Sequence, residues 1–320
     1  MGKRIPVPVG EIWSAIRSRR QTLALMLGAG PWLRSARAAA DTGAPIRLAI
    51  SDSLVADVNL NDARAAMLIW IKRMTSEMNL AVEINPRVFD TAEEILRRVR
   101  SGQLDAVALN VIEYRQIADV LDPGEIIAEA DATGLEQYIL LARRNSGIQH
   151  LSDLRGRRLC MLKAPKMCVA GAWLTAILAE GHFGPSEQFF GAMTADSKAS
   201  RVVLPVFFGQ TDACLTTKRS FDTMCELNPQ VGKELTVIAS SPVMEVTFYI
   251  FHKNYHGVSR ERFAKAYADL PNSVAGRQLA TLFQFDRLVV KDIACLAPAL
   301  AVLEAVDRAR GRRGAGGRKG

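Results

Sequence analysis

Five cations fall where the chain leaves its apolar segments: Lys163, Lys166, Lys198, Lys218 and Arg219. At strand exits or helix starts such side chains offer charge-assisted hydrogen bonds to an anion, and Arg219 can grip two oxygens at once. Loop lysines are as readily solvated, so position decides which of the five meet a ligand. Met167-Cys168 sits directly after Lys166. Two sulfurs at a helix start could take a thiophilic metal or metalloid, and a helix amino terminus lowers the pKa of a thiol. The plainer reading, preferred here, is that Cys168 opens a buried helix face continued by Ala172 and Thr175. His252-x-x-x-His256 has nominal metal spacing, but it straddles a strand end and a turn, where residues four apart share no face. The sequence has no G-x-S-x-G, H-E-x-x-H, P-loop or G-x-G-x-x-G motif. Binding is therefore expected rather than bond breaking, with no catalytic residue, metal or cofactor.

The elements that must position these residues alternate. Apolar runs near 46–50, 104–109, 135–142, 158–162, 211–215, 235–239 and 245–252 read as strands. Helical patterns lie between them, the signature of an α/β chain. The clearest helix opens at Asn61-Asp62 and sets Ala63, Ala66, Met67, Trp70, Ile71 and Met74 on one face. Others are expected near 92–101, 169–180, 197–208, 218–227, 259–269, 275–284 and 298–309.

Length and charge bound the rest. The 320 residues, 49% hydrophobic and 23% charged, exceed one compact core and suit two lobes. The net charge of +8 belongs to the ends of the chain. Residues 1–40 carry basic side chains from Lys3 to Arg37 against Glu11 alone, and 308–320 are basic without an acid, so the body is mildly acidic. Nucleic acid is not an expected partner. Arg19-Arg20, the apolar run from Thr22 to Leu33 broken by Gly28, Gly30 and Pro31, and Ala38-Ala39-Ala40 before Asp41 read as a twin-arginine-like export signal over 1–40. No cysteine precedes Cys160, so a soluble, unlipidated, monomeric periplasmic protein is expected. The five cysteines, an odd number, read mostly as small buried hydrophobes. The tail 308–320 is expected to be disordered.

One internal echo organises the body. Gly102-Gln103-Leu104-Asp105-Ala106 matches Gly209-Gln210-Thr211-Asp212-Ala213. Each follows an apolar helix, and each strand after it delivers polar residues at its carboxyl end, Asn110 in one case and Thr216-Thr217 in the other. Ligands of open α/β sheets sit at that edge, so two such lobes make a cleft.

With this echo, three segments (Leu151-Ser-Asp-Leu-Arg-Gly-Arg-Arg-Leu; Val203-Leu-Pro-Val-Phe-Phe-Gly-Gln-Thr-Asp-Ala-Cys; Phe221-Asp-Thr-Met-Cys-Glu-Leu-Asn-Pro-Gln) make the chain resemble the phosphonate/phosphite (PhnD-type) substrate-binding proteins of ABC transporters over about 46–306. The resemblance implies a type II periplasmic-binding fold with two crossover strands, near 138–144 and 246–251, and an interlobe cleft. Lobe 1 would comprise 41–141 and 247–307, with lobe 2, 142–246, inserted into it. It implies a small anion as ligand (phosphonate, phosphite or phosphate-like) and an inner-membrane permease as partner; a sensor kinase as recipient is the alternative. It also implies ligand contacts. Ser51, Asp52 and Ser53 occupy the first pocket loop, and Asn110 the position after the third strand. Lys163, Lys166, Met167 and Cys168 stand where family members carry a hydroxyl-rich turn. Thr216, Thr217 and Arg219 follow the matching strand, with Lys198 nearby.

Overall fold

The structure, a computed structural model, describes residues 44–316 except 57–58, 78, 84–87, 131–134, 258–259, 270–271 and 284–286. The export signal read over 1–40 lies outside the described residues. Eleven strands are present among them: β1 (Leu48–Ser51), β2 (Phe89–Asp90), β3 (Ala106–Asn110), β4 (Glu125–Glu129), β5 (Tyr138–Arg143), β6 (Arg158–Leu162), β7 (Ala192–Asp196), β8 (Ala213–Thr217), β9 (Leu235–Ser240), β10 (Thr247–Phe251) and β11 (Leu288–Asp292). They form two sheets, ordered β11-β4-β10-β3-β1-β2 and β7-β6-β8-β5-β9. The chain leaves the first sheet after Glu129, builds the second from Tyr138 to Ser240, and returns at Thr247. The two passages are tied by an antiparallel bridge between Glu136 and Met244.

Covered parallel strands should be apolar throughout, since helices cover both faces. β1, β3 and β8 are buried at every position. The strands missed in the sequence lack that signal. β2 has two residues, β7 is an edge strand exposed along most of its length, and β4 and β11 carry charges at their ends.

The helix Leu60–Glu77 buries Ala63, Met67, Trp70, Ile71 and Met74 to 1% exposure or less. Its cap is not the Asn61-Asp62 pair: the Asn59 side chain accepts from the backbone N–H groups of both Asn61 and Asp62. The helix Val111–Ile117 after β3 was not anticipated, because seven residues hold barely two turns of pattern. The last helix runs from Ala297 to Gly316, into the stretch expected to be disordered. Its packing on the helices Ala170–Glu180 and Val111–Ile117 supplies the nucleus from which it propagates, and cations suit a helix carboxyl end.

Candidate functional site

The echo has a structural cause. The Asp105 carboxylate accepts from the Arg47 backbone N–H at 2.8 Å and from its guanidinium at 2.9 and 2.6 Å. Asp212 does the same for Arg158, at 2.8, 3.1 and 3.4 Å. Each pair locks the start of two neighbouring parallel strands in one register, Leu48 opposite Ala106 and Leu159 opposite Ala213. The matching halves therefore deliver equivalent residues at the far edge. Asn110 lies opposite Thr247 of β10, and Thr217 opposite Tyr138 of β5. Both side chains cap the helix that follows: Asn110 accepts from the N–H groups of Ile112 and Glu113, Thr217 from that of Ser220.

In the first half the strand ends close on a carboxylate. Glu113 is buried, and its Oε1 accepts from the hydroxyls of Ser51 and Ser53, both at 2.8 Å. Its Oε2 accepts from the Asn110 backbone N–H at 3.1 Å, and the Asn110 amide donates to Ser53 Oγ at 3.1 Å. Ser51, Ser53 and Asn110 are thus brought together. Asp52 is half-buried in the turn between the two serines. Sequence reading missed Glu113; the Asn-x-x-Glu spacing at a helix start was its available signal.

The second half is less complete. The Thr216 hydroxyl is buried without a hydrogen-bond partner. The helix Ala170–Glu180 begins with no side-chain cap at Val169. Ahead of it, the turn Pro165–Met167 touches the turn Asp52–Val55 of the first half, so the two strand-end loops meet. Tyr138 steadies this turn, donating its hydroxyl to the Lys166 carbonyl at 2.8 Å. Met167 is buried. Cys168 is half-buried, and burial of its thiol, with Glu113 adding repulsion, pushes it up to about 12.

The cations divide. Lys163 and Lys198 are exposed at the ends of β6 and β7, where their backbone N–H groups donate to Asp196. Lys218 is exposed and paired with Asp222 one turn on, at 2.7 Å. Half-buried Lys166 and exposed Arg219 share one carboxylate. Lys166 Nζ lies 2.6 Å from Glu129 Oε1 and 3.6 Å from Glu136 Oε1, while Arg219 reaches Glu129 Oε2 at 3.7 Å. Lys291 pairs with buried Glu245 at 2.9 Å. None of the three glutamates was singled out from sequence. The signal available was a carboxylate inside the apolar run 135–142 and another opening the run 245–252.

A cavity of about 540 Å³, lined by Arg47, Glu83, Asp105, Tyr255 and His256 among others, lies at the opposite, amino-terminal edge of the first sheet. It is remote from the strand ends where ligands of such sheets bind.

The family model for the periplasmic substrate-binding proteins of phosphonate ABC transporters matches residues 55–294. Solved structures share the fold at low identity. A binding protein component of an ABC phosphonate transporter from Pseudomonas aeruginosa is 14% identical, with a TM-score of 0.52 over 83% of this chain and 88% of that one. PhnD1 from Prochlorococcus marinus, solved with methylphosphonate, is 12% identical, with a TM-score of 0.52 over 82% and 97%. A Xanthomonas citri protein solved with ATP is 14% identical, with a TM-score of 0.56 over 84% and 99%. The curated proteins contain no match. Among the described residues no helix is long and apolar enough to cross a membrane.

Proposed function

Because the chain belongs to the family of periplasmic phosphonate-binding proteins of ABC transporters, we propose that it captures a small oxyanion between its lobes and delivers it to an inner-membrane permease. The observation that carries this reading is the second-half turn at 165–168. It faces the Ser51–Ser53 loop and precedes an uncapped helix, and its Lys166 meets Arg219, from the start of the helix Lys218–Leu227, at Glu129. Helix N–H groups left without a cap, beside two cations, form an anion site that needs no hydroxyl-rich turn. Ser51, Asp52, Ser53, Asn110, Met167, Cys168, Thr216 and Thr217 line the approach in this reading, with Lys163 and Lys198 at its rim. The work is binding and lobe closure. The protein acts as an exported monomer, and no bond is broken.

Native mass spectrometry of protein purified from its own periplasm tests the reading, because a trapped solute is weighed directly. Calorimetry with inorganic phosphate, phosphite, methylphosphonate and sulfate then ranks the anions. Arg219→Ala is expected to lose about tenfold to a hundredfold in affinity, a contact of about 1.5–3 kcal/mol. Binding of a neutral or cationic solute alone would overturn the anion assignment.

A further inference from the structure

Three glutamates and three cations meet where the chain crosses between the sheets. Glu129 ends β4, Glu136 precedes β5 and Glu245 precedes β10; the side chains of the last two are 2% exposed. Lys166, Arg219 and Glu129 face Glu136, with the Tyr138 hydroxyl and the Cys168 thiol beside it. Lys291, Glu129 and Lys166 face Glu245, with the Cys295 thiol beside it. With all six groups ionised the charges cancel. An anion arriving between Lys166 and Arg219 finds Glu129 already there, and it adds an uncompensated negative charge to a desolvated place. A proton taken from solvent restores the balance. The two most buried glutamates are suited to hold it, since burial, outweighing the neighbouring cations, pushes both Glu136 and Glu245 up to about 7.

We propose that anion capture by this protein is proton-coupled: Glu129 competes with the ligand for Lys166 and Arg219, and Glu136 and Glu245 take up the proton that lets the anion replace it. The proposal rests on the anion reading above and adds a rule of specificity, namely that affinity for an anion rises as pH falls. The direction follows from the charges. Below neutrality Glu136 and Glu245 hold protons and the cluster is net positive; above it they are ionised and the cations are fully neutralised. One coupled proton changes affinity by up to about tenfold per pH unit.

The test is calorimetry of the exported protein with methylphosphonate, inorganic phosphate and sulfate, in buffers of unlike ionisation enthalpy, between about pH 6 and about pH 8. The dependence of the heat on the buffer counts protons. Titration of the anion itself cancels between the wild type and a Glu136→Gln, Glu245→Gln double variant. The wild type is expected to take up more protons than the double variant, approaching one more at the alkaline end. Glu129→Gln is expected to bind about tenfold more tightly there. Should the double variant not fold, Glu129→Gln still puts the question. Tighter binding by Glu129→Gln, or binding by that variant alone, supports the competition. Equal proton uptake in both proteins together with unchanged affinity in Glu129→Gln overturns the proposal and leaves anion capture standing. Failure of every variant to bind any of the anions overturns both.

Discussion

The two sheets start alike and finish differently. Arg47 with Asp105, and Arg158 with Asp212, make the same three contacts at equivalent places, so both halves inherit one strand register. At the other edge the first half ends in a closed network, where Ser51, Ser53 and the Asn110 backbone all donate to Glu113. The second half keeps the cap, Thr217 to Ser220, but leaves the Thr216 hydroxyl without a partner and the helix Ala170–Glu180, which follows β6, without a side-chain cap. A buried polar network that is fully satisfied rigidifies its surroundings, while unsatisfied groups wait for a partner. One scaffold thus carries a closed polar network in its first half and unsatisfied groups in its second, the half to which the proposed function assigns the anion.

The sharpest way to break this comparison is to cut the network at its hub. Glu113→Ala leaves the Asn110 backbone N–H without its acceptor and the Ser51 and Ser53 hydroxyls with only each other and the Asn110 amide, and we expect a loss of about 3 kcal/mol in stability. Its counterpart Ser220→Ala keeps the backbone N–H bond to Thr217 but removes the part-buried hydrogen bond between the Thr217 and Ser220 hydroxyls, 3.0 Å, and should cost about 0.5–1 kcal/mol. Urea unfolding of both variants measures the asymmetry. Similar losses in the two would show the halves equally rigid.

The Arg–Asp locks come next and should behave as twins. Asp105→Asn is expected to lose about 2 kcal/mol, and Asp212→Asn, whose pair is more exposed, about 1 kcal/mol. At Asp105 burial works against the charge, but the hydrogen bonds and charge of Arg47 win and hold the carboxyl below its usual range. At Asp212 the Arg158 hydrogen bond dominates, with the same result. Both therefore contribute stability that is present above the carboxylate range of the unfolded chain, near pH 4, and is lost as pH falls through the native values. Thermal unfolding from about pH 7 to about pH 3 should fall less steeply in either Asn variant than in the wild type.

Replacing the caps sharpens the comparison further. Asn110→Ala removes two backbone acceptor contacts and the amide bond to Ser53, for about 1–2 kcal/mol; Thr217→Ala should cost nearer 1 kcal/mol. Equal losses would mean that the Asn110 amide's hydrogen bond to Ser53 contributes no more than the one between the Thr217 and Ser220 hydroxyls.

Much of the scaffold was legible because it rests on local patterns. The Gly-Gln-x-Asp-Ala echo marks positions that adopt one geometry twice, and Gly102 and Gly209 both take the left-handed conformation that glycine favours, φ 67° and 72°. The helix Lys218–Leu227 falls where its pattern placed it. The site was less legible, because its logic is carried by pairs far apart in sequence. Lys166 and Arg219 were visible as cations, yet nothing local told that Glu129 holds both. Glu136 and Glu245 sit beside apolar runs, and only the crossing of the chain brings them to the same ammonium. The short edge strands were missed for a related reason: their pairing, not their composition, makes them strands.

The smallest expected effect separates neighbours. Lys218 and Arg219 are adjacent at the start of one helix, yet they point to different partners. The Lys218 ammonium meets Asp222 on the same helix, with both side chains about half exposed. A solvated pair of this spacing is worth about 0.3–0.5 kcal/mol, so Lys218→Ala should barely move stability and should leave anion affinity unchanged. The Arg219 guanidinium reaches across to Glu129, whose side chain is 11% exposed, in the first sheet. Removing it should alter anion affinity far more than it alters stability. Calorimetry and thermal unfolding on the two single variants decide the matter. If Lys218→Ala weakens anion binding as much as Arg219→Ala does, both cations serve a diffuse field, and the division drawn between the other lysines and the pair held by Glu129 is wrong.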